Sequence, residues 1–181
     1  MYNLGSQIFF VAIYLYAYRI LGISEGVIGI AFSIGALGFL VGTLSASYVT
    51  KKLGLGRSIA LSTAGGFALL IVPLAKGSLA VVVIGVALFV AYVGVPIYGI
   101  NQVSLRQIIT PNRLQGRMNA TMRTIVWGTI PLGSFMGGIF SASLGIVQTL
   151  IIGGLISGGS ILWIILGPIF KLSRQPQPAD D

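Results

Sequence analysis

Apolar residues come in six long blocks along this chain, and polar residues are confined to the short gaps between them. The blocks cover about 3–21, 27–49, 59–74, 79–104, 120–144 and 148–170. A helix crosses the ~30 Å hydrocarbon layer of a bilayer with ~20 mostly apolar residues. Each block is about that long, and 59–74, the short one, is expected to borrow from its flanks. Helices pair every backbone polar group internally, whereas blocks this long and evenly apolar do not suit barrel strands. The pattern therefore predicts an all-α membrane protein. One six-helix transmembrane bundle fills 1–171, and a polar, proline-containing, disordered cytoplasmic tail follows at 172–181.

Composition agrees with that solvent. Only 8% of the 181 residues are charged against 55% hydrophobic, too few to build the charged shell of a water-soluble domain. The absence of His and Cys removes zinc, haem and iron–sulfur sites built on those ligands, and a Ser-His hydrolase with them. The only acids are Glu25, Asp180 and Asp181, so no block carries a mid-membrane carboxylate. Intramembrane proton relays usually use Asp, Glu or His. Any coupling acid must sit on another part of the protein, and no enzyme and no cofactor is expected. The net charge of +8 does not point to nucleic acid, because the basic residues occupy the gaps between blocks. The first block is full length and lacks a basic leader, unlike a signal peptide. The chain starts almost inside a helix, as a truncated or half-size protein does.

The gaps alternate in charge. Lys51, Lys52 and Arg57 follow the second block; Arg106, Arg113, Arg117 and Arg123 surround the gap after the fourth; Lys171 and Arg174 follow the sixth. Nine of the eleven basic residues thus fall on one side, with Arg19 and Lys76 on the other. The positive-inside rule makes that side cytoplasmic, and both termini with it, in a cell (cytoplasmic or inner) membrane. Thr110-Pro111 reads as an N-cap followed by a first-turn proline, opening a short interfacial helix through Arg113 and Arg117. These arginines either gate or only set topology.

Helical spacing then sorts the faces. Asn3, Gln7, Phe10, Tyr14 and Tyr18 fall on one side of the first block, in a stripe ~22 Å long, with Tyr16 and Arg19 opposite. Amides in hydrocarbon need a partner or water. The stripe is either the wall of a hydrated cavity or a buried hydrogen-bond seam. Gly94, Tyr98, Asn101, Gln102 and Leu105 share a face of the fourth block, below Pro96, which removes a backbone hydrogen bond. Trp127 is either a stacking surface for a flat ligand or an interface anchor. Gly38 and Gly42, and Gly133 and Gly137, have the spacing that lets helices approach closely. Those two faces are expected to meet a partner outside this chain, and the third and sixth blocks to form the outer, lipid-facing pair. Gly42-Thr-Leu-Ser-Ala-Ser47 is similar to Gly138-Ile-Phe-Ser-Ala-Ser143, one in the second block and one in the fifth. That is the offset of a three-plus-three inverted repeat, an arrangement common in secondary transporters.

The stretch Leu105-Arg-Gln-Ile-Ile-Thr-Pro-Asn-Arg-Leu-Gln-Gly-Arg-Met-Asn-Ala120, with Arg123, Trp127-Gly-Thr-Ile-Pro-Leu-Gly133 and Gly137-Gly138, resembles the major facilitator superfamily, in its macrolide and enterobactin exporter branch. The resemblance implies the C-terminal six-helix half of a twelve-helix transporter, with the blocks as helices seven to twelve. It implies a cavity lined by the first and fourth blocks, amphipathic substrates of the drug, macrolide or siderophore class, and a proton gradient as the energy source. The family's glycine-acid-basic loop falls on Lys51-Lys-Leu-Gly-Leu-Gly-Arg57, where Lys51 holds the acid position and an acid latch is not expected. The expected substrate wall is Asn3, Gln7, Tyr14, Tyr18, Tyr98, Asn101, Gln102 and Trp127. The expected gating loops hold Lys51, Lys52, Gly54 and Arg57, and Arg106, Arg113, Gly116, Arg117 and Arg123. The expected partners are an N-terminal half or a second copy, the bilayer and a small molecule. The competing readings are a non-transporting membrane scaffold or assembly subunit and a half-size transporter working as a homodimer.

Overall fold

The computed structural model describes residues 1–167 and Phe170, so the expected tail at 172–181 lies outside the described residues. Among the described residues six helical rods follow one another: α1 (Tyr2–Leu15, continued by a π-helical turn, Tyr16–Ile20), α2 (Glu25–Leu53), α3 (Leu55–Ala64, continued as a 3₁₀ helix over Gly65–Leu74), α4 (Ala80–Ile109), α5 (Asn112–Ser143) and α6 (Ile146–Gly159, continued by Ile161–Leu166). Five of them are long and apolar enough to cross a membrane: Glu25–Leu53, Leu55–Leu74, Gly77–Ile109, Asn112–Ser143 and Ile146–Leu166. The chain is thus all-helical with the build of a membrane protein.

The helices overrun the apolar blocks where the flanks are polar. α2 continues through Lys51 and Lys52, α3 starts at Leu55 rather than residue 59, and α4 runs on to Ile109. Apolar length measures the lipid layer, while backbone hydrogen bonding carries a helix on into the headgroup region. The same effect removes the expected interfacial helix. Arg113 and Arg117 open α5 itself, which begins at Asn112 with Pro111 just before it and no side-chain cap, and runs unbroken for 32 residues. Gly54, at φ 82°, makes the break between α2 and α3.

Packing sorts the rods into two groups. α1 lies on α5 and α6, α4 lies on α2 and α3, and α6 meets the 3₁₀ segment of α3. Two apolar clusters hold this together. The larger joins Phe9, Ile13, Val72, Ile84, Leu88 and Leu150 among others; the smaller, at the end carrying the basic turns, holds Leu55, Ile59 and Leu105. Tyr16 locks the far end: its hydroxyl, buried opposite the polar stripe, donates toward the carbonyls of Ala75 at 3.0 Å and Pro73 at 3.2 Å.

Two expectations are corrected here. The glycine pairs Gly38/Gly42 of α2 and Gly133/Gly137 of α5 are seated inside the chain. A Cβ on Gly38 would strike the Phe89 backbone, and one on Gly42 would strike Val93 and Pro96, so these glycines seat α2 on α4. A Cβ on Gly133 would lie 2.8 Å from the Leu4 carbonyl oxygen, and one on Gly137 3.0 Å from that of Ile8, which seats α5 on α1. Nor are the third and sixth blocks peripheral. α3 buries the largest share of its apolar window among the five spans, because Gly66 lies against Ser157 and Gly158 against Phe67. Small residues let two backbones approach, and the van der Waals packing that results stays inside this bundle.

Candidate functional site

The expected wall residues fall into three places. The first is the polar-aromatic side of α1. Phe10, Tyr14 and Tyr18 are exposed there, and Asn3 and Gln7 are half-buried. Tyr14 stacks on Phe32 of α2 with ring centroids 5.0 Å apart, and Phe10 meets both rings edge-on, at 5.1 Å from Tyr14 and 5.5 Å from Phe32. Nearer the basic end, Tyr98 of α4 stacks on Tyr2 at 6.4 Å. These two aromatic contacts lie ~18 Å apart along α1 at 1.5 Å per residue. Between them the side-chain amides of Asn3 and Gln7 make no hydrogen bond among the described residues and are not enclosed. Gln7 rests its stem on Gly133.

Asn101 is not on this wall. It is 3% exposed, in the contact between α4 and α2. Its Nδ2 donates to the Ile97 carbonyl at 2.8 Å, and its Oδ1 lies 3.0 Å from Thr50 Oγ1, whose one proton it shares with the Ala46 carbonyl at 2.8 Å. Asn101 is thus buried between α4 and α2 with polar partners at both ends of its amide, and the expected place on an open substrate wall is withdrawn. The face drawn through Gly94, Asn101 and Leu105 is the buried side of α4, with Gly94 pressed against the Ser62 carbonyl.

Gln102 and Trp127 line a different space, a cleft of about 340 Å³ between the basic ends of α4 and α5. α4 contributes Gln102, Arg106 and Gln107, and α5 contributes Asn119, Arg123 and Trp127. Arg106 is held by its own helix: NH2 donates to Gln102 Oε1 at 3.1 Å and Nε to the Gln102 carbonyl at 3.4 Å. The remaining expected loop residues are on open surface. Lys51, Lys52, Arg57, Arg113, Gly116 and Arg117 are exposed, with Lys52 Nζ 5.9 Å above the Tyr48 ring. Gly54 is half-buried at its turn, where Ser58 Oγ donates to its carbonyl at 2.7 Å.

Tyr2 and Phe32 complete the aromatic wall, and helical spacing missed both. Tyr2 sits ~120° from Tyr14 on the helix wheel, at 100° per residue, and reaches the site only because α4 brings Tyr98 to it. Phe32 lies in a uniformly apolar block with no polar neighbour to mark its face. The chain matches no described protein family, no curated protein and no solved structure. What defines its class is the bundle itself: helices long and apolar enough to span a membrane, with an amide-bearing aromatic face on α1 left open among the described residues.

Proposed function

We propose that this chain is the C-terminal six-helix half of a secondary active transporter that exports amphipathic small molecules by alternating access. The observation that carries the reading is the pair of unbonded, accessible amides at Asn3 and Gln7 between two aromatic contacts. In hydrocarbon an unpaired amide is costly, so this face calls for water or a ligand. Aromatic rings and neutral amides bind amphipathic molecules by stacking and adaptable hydrogen bonds without fixing a charge.

Helix pairing supports the three-plus-three inverted repeat that such carriers use. Exchanging α1–α3 with α4–α6 turns the α4 contacts with α2 and α3 into the α1 contacts with α5 and α6. The register that fits this exchange pairs Gly38 with Gly133 and Gly42 with Gly137, each seated on the first helix of the opposite triplet. It differs by one residue from the register of the similar Ser-Ala-Ser segments, since Gly138 meets nothing within 4 Å. The outward sides of α2 and α5, rich in exposed Leu44, Tyr48, Leu132 and Phe135, are where an N-terminal half packs. The basic turns face the cytoplasm of a cell membrane, and a proton gradient drives export through an acid on the other half.

The test is flux in proteoliposomes after co-expression with an N-terminal six-helix partner. Gln7→Ala and Tyr14→Ala should lower flux at least fivefold with unchanged insertion. If both variants assemble poorly while flux per assembled molecule stays constant, the chain is a scaffold whose α1 face binds a protein. Flux from the chain alone, with cross-links between two copies across α5, identifies the homodimeric carrier instead.

A further inference from the structure

The cleft between α4 and α5 holds two cations and no counter-charge. Arg106 half-faces it from α4 and Arg123 stands exposed on α5. Neither makes an ion pair among the described residues, and no carboxylate lines the cleft. Gln102 occupies the Nε and one NH2 proton of Arg106. A guanidinium has five N–H donors in a fixed fork, so three remain for another acceptor.

Depth narrows what that acceptor is. Arg106 is the first charged residue after the charge-free stretch that begins at Gly77, and Arg123 is the last before the charge-free stretch of α5 and α6. Both therefore stand at the edge of the hydrocarbon layer, where lipid headgroups lie. On the apolar side the cleft is walled by Val103, Val126 and Trp127, with Met122 level with Arg123. A volume of about 340 Å³ sits at the small end of ligand sites.

From this we infer that the α4–α5 cleft binds an anionic amphiphile, with a phosphate or carboxylate head clamped between Arg106 and Arg123 and an apolar portion against Val126 and Trp127. Bidentate guanidinium contacts suit those two anions. The site is separate from the α1 wall and independent of the transport reading: it requires only that the helices stand in a membrane. The anion has two sources, a phospholipid of the inner leaflet or a free amphiphile from the cytoplasm.

The protein carries its own reporter, since Trp127 and Trp163 are its only tryptophans. The full chain with Trp163→Phe is placed in nanodiscs of phosphatidylcholine, and Trp127 emission is followed while dihexanoyl phosphatidylglycerol or dihexanoyl phosphatidylcholine is added. The expected result is a saturable shift with the anionic lipid only, weakened at least ~10-fold in Arg106→Gln/Arg123→Gln, as two lost charge-assisted contacts require. Arg123→Gln alone, at an exposed position, keeps the helical circular dichroism and still weakens binding. Discs made with phosphatidylglycerol separate the sources. An emission already shifted and unresponsive to added ligand identifies the bilayer lipid, and an undiminished response identifies the free amphiphile. Equal responses to the two headgroups, or affinities of the double variant within twofold of the parent, overturn the site and leave Arg106 and Arg123 as snorkelling anchors. Flux through the α1 face is unaffected by that outcome.

Discussion

Thr50 and Asn101 tie α2 to α4 through one side-chain hydrogen bond of 3.0 Å, set beside the turn that carries Lys51 and Lys52. Interhelical hydrogen bonds inside membrane bundles are worth about 0.6–2 kcal/mol. Asn101→Ala should therefore destabilise the bundle by about that amount and leave flux per folded molecule within twofold of the parent. Detergent-denaturation curves of Thr50→Val, Asn101→Ala and the double variant check it. Additive losses in that cycle would show that the two side chains do not interact.

The α1 wall makes a labelling prediction, and the native absence of Cys makes it clean. Gln7→Cys and Tyr14→Cys should react with a membrane-impermeant maleimide in assembled protein, whereas Asn101→Cys should stay unreactive until the bundle is denatured. A lipid-soluble probe that tags position 7 while the aqueous reagent never does would eliminate the hydrated wall.

Tyr16→Phe removes the hydroxyl that bridges Pro73 and Ala75. The one proton shared by the two carbonyls is lost from a buried site, for a loss of about 1–3 kcal/mol. Thermal unfolding in detergent should show the drop with no change in Tyr14 or Gln7 labelling.

Glycine substitutions should divide by environment rather than by motif. Gly38→Ala forces a Cβ into the Phe89 backbone and separates α2 from α4. Overpacking of this kind costs about 1–3 kcal/mol. Gly138→Ala, with nothing within 4 Å, should be neutral or slightly stabilising, since Ala is the better helix former. Expression level and melting temperature of the two variants report the contrast.

The rods and the open side of α1 were legible because both rest on local rules: apolar length fixes a span, and 100° per residue fixes a face. The destination of the glycines was not, because a small-residue face says only that something comes close. Gly42 and Gly138 sit in similar six-residue segments, yet one is pressed against Pro96 and the other is open. A shift of one residue turns a helix position by ~100°, enough to exchange those environments. Asn101 escaped for a related reason. Its place on the α4 wheel is shared with Tyr98 and Gln102, and only the position of Thr50, 51 residues earlier, shows that this amide is already satisfied.

The unequal division of the apolar core sets where this molecule yields. Fourteen buried residues knit the middle and the far end, against three at the basic end. Opening is cheapest where least is buried. The end held by Tyr16 is the more firmly knit one, and local opening is expected first at the end that carries Arg106 and Arg123.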